Sequence, residues 1–251
     1  MSDPFYGPKL KVHRAQQHID ELARLFEAYR TQNPDGVARS IDSATGSEIQ
    51  KVGGGFPEHT PTIMGDAIHN LRSSLDHAFC ILVTANGHTP NKYTAFPFRD
   101  DEIALAGVFK GIRAQGHAPS ADVENIIVKE IKPLKGTRFY GLHDLDIADK
   151  HRTLLPTLSA VQGRNMTIGN SQFINCSFSS LSGLHTNQFG GSAIMVVGPP
   201  GHSSTRISGD FSAKIVFPGG TPFAGKDIIP TLNEMRKLVI DALIKLEPHA
   251  K

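Results

Sequence analysis

The chain is predicted to be an α+β protein, an antiparallel helical bundle with a small antiparallel β-sheet. Several long segments repeat apolar residues at helical spacing, and one segment near residue 210 alternates apolar and polar residues. With 251 residues, of which 39% are hydrophobic and 20% charged, the chain can bury a sizeable core. We expect a mainly helical bundle with a short β-hairpin over 1–156, an antiparallel β region over 157–225, and a C-terminal helix over 226–251 that packs back on the bundle.

The first helix is predicted over residues 8–30. Its apolar positions recur at alternating steps of four and three, which places them on one stripe: Ala15, Ile19, Leu22, Phe26 and Tyr29. The turn-forming residues 33–36 end it. Two short strands are predicted next, over 37–41 and 48–52, joined through 43–46. Three glycines at 53–55 then form a flexible break.

The second helix is predicted over residues 61–84, with Thr60 as N-cap and Pro61 at the first helical position. Its core face consists of residues at i, i+4, i+7 and i+11: Leu71, Leu75, Ala78 and Leu82. Asp100 and Ser120 are predicted N-caps of two further helices. Another helix is expected over 138–155, ending before Pro156.

The amino-acid composition changes between residues 165 and 217, where Ser, Gly and β-forming residues are frequent. The segment RISGDFSAKIVF at 206–217 alternates apolar and polar residues, which predicts a strand with one solvated face. QFINCSF at 172–178 and SAIMVVG at 192–198 are predicted partner strands. A last helix is predicted over 230–246 from apolar residues at helical spacing: Leu232, Met235, Val239, Ala242 and Leu246.

Bulk properties exclude some classes of protein. The formal net charge of +2 is nearly balanced, so the chain lacks the global field of a general nucleic-acid or membrane binder, although a local basic groove stays open. Cys80 and Cys176 are far apart in apolar runs, which is typical of core thiols in a reducing compartment. The N-terminal residues 1–10 lack the apolar core of a signal peptide, and no run of about 18 apolar residues is present. We therefore expect a cytoplasmic protein that does not enter a membrane.

The stretch HNLRSSLDHA at 69–78 carries the first group of candidate site residues. Four polar side chains lie at i, i+3, i+4 and i+7 and share a helical face: His69, Arg72, Ser73 and Asp76. His77 lies on the flank of this face, beside Asn70. The plain alternative is the solvated face of a core helix, on which Arg72 and Asp76 form an i,i+4 ion pair.

The helix predicted over 138–155 carries a second group. His143, Asp146 and Lys150 share one face, with three polar residues close behind: Asp149, His151 and Arg152. If the two helices are neighbours, their polar faces converge on one pocket. The alternative is again structural, because basic side chains such as Lys150 and Arg152 are favoured near a helix C-terminus by the helix dipole.

Arg72 and His77 form an R-x4-H pair, which resembles the signature of the HEPN superfamily of helical ribonucleases and nucleotide-binding proteins. The spacing alone is a weak signal, and Arg138 with His143 is a second match. The whole chain is similar to a family of uncharacterised bacterial proteins, whose elements occur here in order: GDAIHNLRSSLDHA, the Phe-Pro segment at 96–98, LHDLDIADKHR and GTPFAGKDIIPTLNEM.

The HEPN resemblance implies a helical bundle that forms a homodimer and cleaves RNA without a metal, or that binds a nucleotide. It implies His77 as the base at the RNA 2′-hydroxyl and Arg72 as the phosphate clamp. His69 and Asp76 complete the candidate catalytic set, and the candidate substrate-binding set is Asn70, Ser73, Lys150 and Arg152. Active members often carry asparagine after the arginine, where this chain has Ser73.

Two other classes of function remain open from the sequence. Helical bundles build metal sites from inward histidines and carboxylates, so a metal-dependent hydrolase with Zn, Mn or Fe is one alternative. Its candidate ligands are His69, His77, His143, Asp146 and His151. The i+8 spacing of the histidines argues against it, because strong helical metal motifs use i+3 or i+4. The other alternative is a non-catalytic binding module.

Overall fold

The computed structural model describes the backbone and side chains of residues 3–32, 59–150 and 215–251. It describes the backbone of further segments: 37–41, 48–52, 151, 157–168, 171–173, 176–178, 193–196 and 207–214. The predicted turn at 33–36, the predicted links at 43–46 and 53–55, and Arg152 lie outside the described residues.

The helices of the described ranges match the predicted ones closely. They are α1 (Tyr6–Gln32), α2 (Thr60–Ala85), α3 (Glu102–Ala114), α4 (Ala121–Ile126), α5 (Arg138–His151) and α6 (Ile228–Leu246). A π-helical turn, Ile127–Ile131, continues α4, and a 3-10 turn, Glu247–His249, follows α6. Both ends of α1 extend two residues beyond the prediction, as expected for helix ends read from a pattern of buried residues.

Two N-cap predictions are wrong by one residue. His59, not Thr60, precedes α2, and its side chain makes no capping bond. Asp101, not Asp100, caps α3, because its carboxylate accepts a hydrogen bond from the backbone amide of Ala104 at 2.7 Å. Asp100 accepts from the hydroxyl of Tyr140 at 3.3 Å instead. Ser120 caps α4 as predicted.

The strands of the described backbone are β1 (Val37–Ile41), β2 (Glu48–Val52), β3 (Thr157–Ile168), β4 (Ser171–Phe173), β5 (Cys176–Phe178), β6 (Ala193–Val196) and β7 (Ile207–Val216). They pair antiparallel in two sets. β2 lies between β1 and β6, and β3 pairs with β4, β5 and β7. The expected direct pairing of 172–178 and 192–198 with 206–217 is therefore wrong, because the long strand β3 lies between β7 and both β4 and β5, and β6 joins the N-terminal hairpin.

The core lies among the helices. α1 packs along α2, α6 contacts both, and α5 packs on α2. The predicted apolar stripes of α1, α2 and α6 are buried in this contact, with Leu71, Leu75 and Ala78 all fully inaccessible. Their burial removes a large apolar area from water, which is the main force that holds such a bundle together. None of the described helices combines the length and the apolar composition that a membrane crossing needs.

Two glycines let α5 approach its neighbours closely. A Cβ on Gly65 of α2 would lie 2.4 Å from Oδ2 of Asp149, so this carboxyl group packs directly against the α2 backbone. A Cβ on Gly141 of α5 would meet the ring of Phe223 at a similar distance. The close approach at Gly65 places the polar face of α5 against the polar face of α2.

Candidate active site

The polar faces of α2 and α5 meet, as the sequence predicts if these helices are neighbours. Nδ1 of His69 lies 3.1 Å from Oδ1 of Asp146. An ionised carboxylate can only accept hydrogen bonds, so His69 donates through Nδ1 and keeps its proton there when neutral. Nε2 of His69 is then left as the accepting nitrogen of the ring.

The two members of this pair differ in exposure. The side chain of Asp146 is 5% exposed, whereas that of His69 is 51% exposed. Lys150, one turn further along α5, donates to the other oxygen, Oδ2 of Asp146, at 2.6 Å. Both oxygens of the buried carboxylate are therefore engaged, which fixes its orientation and that of the imidazole it accepts from.

A hydroxyl group can reach the free nitrogen of His69. Oγ of Ser73, one turn along α2, lies 3.5 Å from Nε2. Asn70 behaves differently, since its amide donates to the backbone carbonyl of Asp66 in its own helix at 2.8 Å. Of the residues predicted to bind substrate, Ser73 lies beside His69, and Lys150 binds the same carboxylate as His69. Asn70 bonds to its own helix, and Arg152 lies outside the described residues.

Arg72 is buried among structural partners. Its side chain is 9% exposed and forms an ion pair with Asp76, the i,i+4 pair that the sequence offers as the plain alternative. It also donates to the backbone carbonyl of Phe96 at 3.2 Å and lies over the ring of Phe98, 4.8 Å from its centroid. Asp76 in turn accepts from the backbone amide of Phe96 at 2.8 Å. Arg72 and Asp76 together fasten the Phe-Pro segment to α2.

His77 lies on another side of α2. Five residues along a helix turn the side chain by about 140° from that of Arg72. His77 is exposed, and its Nδ1 lies 3.9 Å from the position that a Cβ on Gly7 would occupy. It therefore stands beside the N-terminal turn of α1, and the described contacts do not join it to Arg72, His69 or Asp146.

His143 is engaged in an aromatic cluster. Its ring stacks on Phe98, with centroids 4.9 Å apart and planes 5° from parallel, and meets Tyr140 edge-on. Its Nδ1 is buried and has no hydrogen-bond partner in the described part of the chain. Burial, with the nearby Arg72 guanidinium, lowers the pKa of His143 from its ordinary value. The neutral, stacked ring is a packing element.

The residues proposed as metal ligands are brought together only in part. His69 and Asp146 meet, whereas His77 lies beside α1, His143 is stacked on Phe98, and the side chain of His151 lies outside the described residues. Within the ranges whose side chains are described, no three histidine, cysteine, aspartate or glutamate side chains are placed to hold one ion. The geometry that is present is that of a histidine–carboxylate pair beside an ammonium group.

Sequence reasoning did not assign a role to Phe96-Pro97-Phe98. The segment supplies the carbonyl and the ring that Arg72 contacts and the ring on which His143 stacks. A cluster of aromatic residues in a loop is a signal for such packing, because large apolar rings are rarely left in water.

Comparisons with protein-family models, with curated proteins and with solved structures find no match to this chain. The similarity to HEPN proteins therefore stays a prediction. Any function assigned to the site rests on its geometry together with that resemblance.

Proposed function

We propose that the protein is a HEPN-like, metal-independent RNA endonuclease of the cytoplasm, with His69 as its general base. The observation that carries the proposal is the contact between His69 and the buried Asp146, which leaves Nε2 of a half-exposed imidazole as a proton acceptor. We include in the proposal a HEPN-type arrangement of the bundle, with the paired strands as a small antiparallel β-sheet.

The proposed cleavage reaction needs few protein groups beyond His69 and Asp146. Nε2 of His69 takes the proton of an RNA 2′-hydroxyl, the 2′-oxygen attacks the adjacent phosphorus, and the 5′-oxygen of the next nucleotide leaves with a proton from solvent. The products are a 2′,3′-cyclic phosphate and a 5′-hydroxyl. Asp146 stabilises the imidazolium that forms, and a histidine positioned in this way contributes typically 10²–10⁴-fold to the rate.

Lys150 supports the same chemistry from the other side of Asp146. Its side chain is 54% exposed, so its ammonium group faces both the carboxylate and solvent. A cation beside the base attracts the phosphate and offsets the charge that develops in the transition state. In this proposal Lys150 takes the role of phosphate partner that the motif gives to Arg72, and Arg72 holds the Phe-Pro segment.

Cleavage of a labelled mixed-sequence RNA in the presence of EDTA tests the proposal. We expect the wild-type protein to produce 2′,3′-cyclic phosphate ends and His69→Ala to lose at least about a hundredfold in rate. His77→Ala is the matched control, because His77 is an exposed histidine on the same helix that does not contact Asp146. His77→Ala should unfold at nearly the wild-type temperature, and His69→Ala at a lower one because Asp146 loses a partner, so cleavage is compared at a temperature at which both variants are folded.

Three outcomes would overturn this assignment. Loss of activity in His77→Ala with activity kept in His69→Ala would return the base to the R-x4-H motif. Activity that EDTA abolishes would favour a metal-dependent hydrolase. If the wild-type protein cleaves no RNA but binds a nucleotide, the polar surface around His69 and Asp146 is a binding site and not a catalytic one.

A homodimer is the remaining part of the proposal and is supported by the HEPN resemblance. Sedimentation equilibrium measures the mass in solution directly. A mass close to twice 27.2 kDa is the expected result, and a mass of one chain at micromolar concentration would contradict it.

A further inference from the structure

A cavity lies at the N-terminal end of α5, away from the contact between His69 and Asp146. It has a volume of about 340 Å³ and is bounded by the first turns of α5, the segment 222–226 and the first turns of α6. This volume is within the range of small-molecule sites, which begins near 300 Å³. Asp144 faces this cavity, and it lies two residues from Asp146, on a different side of α5.

The charged side chains that line the cavity are of two kinds. Arg138 and Glu234 form an ion pair with each other, so their charges are mutually satisfied. Asp144 and Lys226 also line it, and neither side chain has a hydrogen bond or an ion pair within the described parts of the chain. Lys135, the other ammonium group near Asp144, is paired with Asp100 at 3.5 Å.

The unpaired carboxylate is partly removed from water. Asp144 is half-buried, and this burial raises the pKa of its carboxyl group. A partly desolvated carboxylate without a partner costs free energy, which a bound cation recovers. Tyr140 and Phe223 supply aromatic surface in the same cavity, with the Phe223 ring held against Gly141.

We propose that this cavity binds a small zwitterion, an amino acid in the broad sense. Asp144 accepts hydrogen bonds from its ammonium group, Lys226 donates to its carboxylate, and the carbon chain between them packs on Tyr140 and Phe223. The mixed lining favours this class over a simple anion or a simple cation, because a ligand with one charge leaves either Asp144 or Lys226 unpaired. The inference does not depend on the RNA-cleaving site.

Titration calorimetry with the full chain tests the proposal. The probes are the common α-amino acids, 4-aminobutanoate and 6-aminohexanoate, a series in which the ammonium and carboxylate groups move apart. We expect one separation to bind best, because Asp144 lines the cavity from α5 and Lys226 lines it from the segment 222–226. Asp144→Asn and Lys226→Gln should each raise the Kd of that probe by roughly tenfold to a hundredfold.

Matched controls are available on α6. Asp241→Asn and Lys237→Gln make the same charge changes at exposed positions that do not line the cavity, and should leave the Kd unchanged. The proposal is overturned if no probe binds at 10 mM, the order of the weakest useful affinities. It is also overturned if butylamine or butanoate binds as tightly as 4-aminobutanoate, or if the control variants weaken binding as much as the cavity variants.

Discussion

The polar face of α2 has two regions that contain similar residues and differ in what surrounds them. At Arg72 and Asp76 the Phe-Pro segment covers the face, and the Arg72 side chain is 9% exposed, with Asp76, the Phe96 carbonyl and the Phe98 ring as its partners. At His69, three residues away, α5 offers one buried carboxylate and leaves the ring 51% exposed. On α2, Arg72 and Asp76 thus form a closed structural pair, whereas His69 pairs with Asp146 of α5 and keeps Nε2 beside only the hydroxyl group of Ser73.

The difference shows that residue type does not decide between a structural and a chemical role. A side chain whose hydrogen-bonding groups are all used inside the protein stabilises the fold. One that is oriented at one atom and open at another can react.

The closed pair should contribute most to stability. Arg72→Met keeps the length of the side chain but leaves the carboxylate of Asp76 and the carbonyl of Phe96 without their partner. We expect the free energy of unfolding in urea to fall by roughly 3 kcal/mol. Arg30→Met is the control, because the Arg30 side chain is 57% exposed and its ion pair with Glu27 is a surface pair, worth about 0–1 kcal/mol. Equal losses in the two variants would contradict a structural role for Arg72.

The open pair should contribute most to activity. In Asp146→Asn the amide can donate to Nδ1 of His69, which would move the ring proton to Nε2 and remove the base. We expect the RNA cleavage rate to fall by about a hundredfold, with Asp241→Asn on α6 as the control at wild-type rate. Unchanged cleavage in Asp146→Asn would show that the carboxylate does not orient the catalytic group.

The close contact between α2 and α5 can be tested by adding one methyl group at Gly65. Gly65→Ala places a methyl group against the carboxylate of Asp149, which has to turn away, so we expect a loss of about 1 kcal/mol in the free energy of unfolding. Gly107→Ala on α3 is the control, because a Cβ there meets no atom within 4 Å. It should stabilise by up to about 1 kcal/mol through helix propensity. Effects of the same sign would argue against the close approach of α5 at Gly65.

Acid should lower the free energy of unfolding through protonation of His143. Its pKa is lowered in the folded protein by burial and by the Arg72 guanidinium, so the unfolded chain binds the proton more readily. The stability that neutral His143 allows is complete above its ordinary pKa of 6.5 and is lost as the pH falls from there through the folded-state pKa. Arg99 acts in the same direction as Arg72, and Asp146 and Asp76 oppose them. Urea unfolding between pH 7 and pH 5 should show a smaller decline in His143→Gln than in wild type.

The smallest effect is expected at Asn70, whose side-chain amide bonds only to its own helix in the described structure. Asn70→Ala should change the free energy of unfolding by no more than about 0.5 kcal/mol and leave cleavage near the wild-type rate. A large loss of cleavage would place Asn70 in the substrate-binding set that the sequence predicts.

The helical part of this architecture is readable from the sequence, because burial imposes a period on the residues. Leu71, Leu75 and Ala78 are all inaccessible as their spacing predicts. The strand pairing is not readable in the same way, since a period of two says which face a residue takes and nothing about the neighbouring strand. The alternation of residues in β6 gives no sign that this strand pairs with β2, which lies more than a hundred residues earlier in the chain.

The candidate site is predicted in composition and not in arrangement. Helical spacing groups His69 with Arg72 and Asp76, and groups His143 with Asp146 and Lys150. Spacing contains no information on which of them faces the Phe-Pro segment and which faces a neighbouring helix. The tertiary contacts decide this. His69 forms a hydrogen bond with Asp146, and both Arg72 and His143 pack on the ring of Phe98.

The most direct test is the position of the proton on His69. A long-range ¹H–¹⁵N NMR spectrum of the labelled protein, with His69 assigned by comparison with His69→Ala, distinguishes the two neutral tautomers. We expect the Nδ1–H form at pH 8, with Nε2 unprotonated, and the loss of this form in Asp146→Asn. An Nε2–H ring in the wild-type protein would mean that Asp146 does not hold His69 and that this imidazole is not the base.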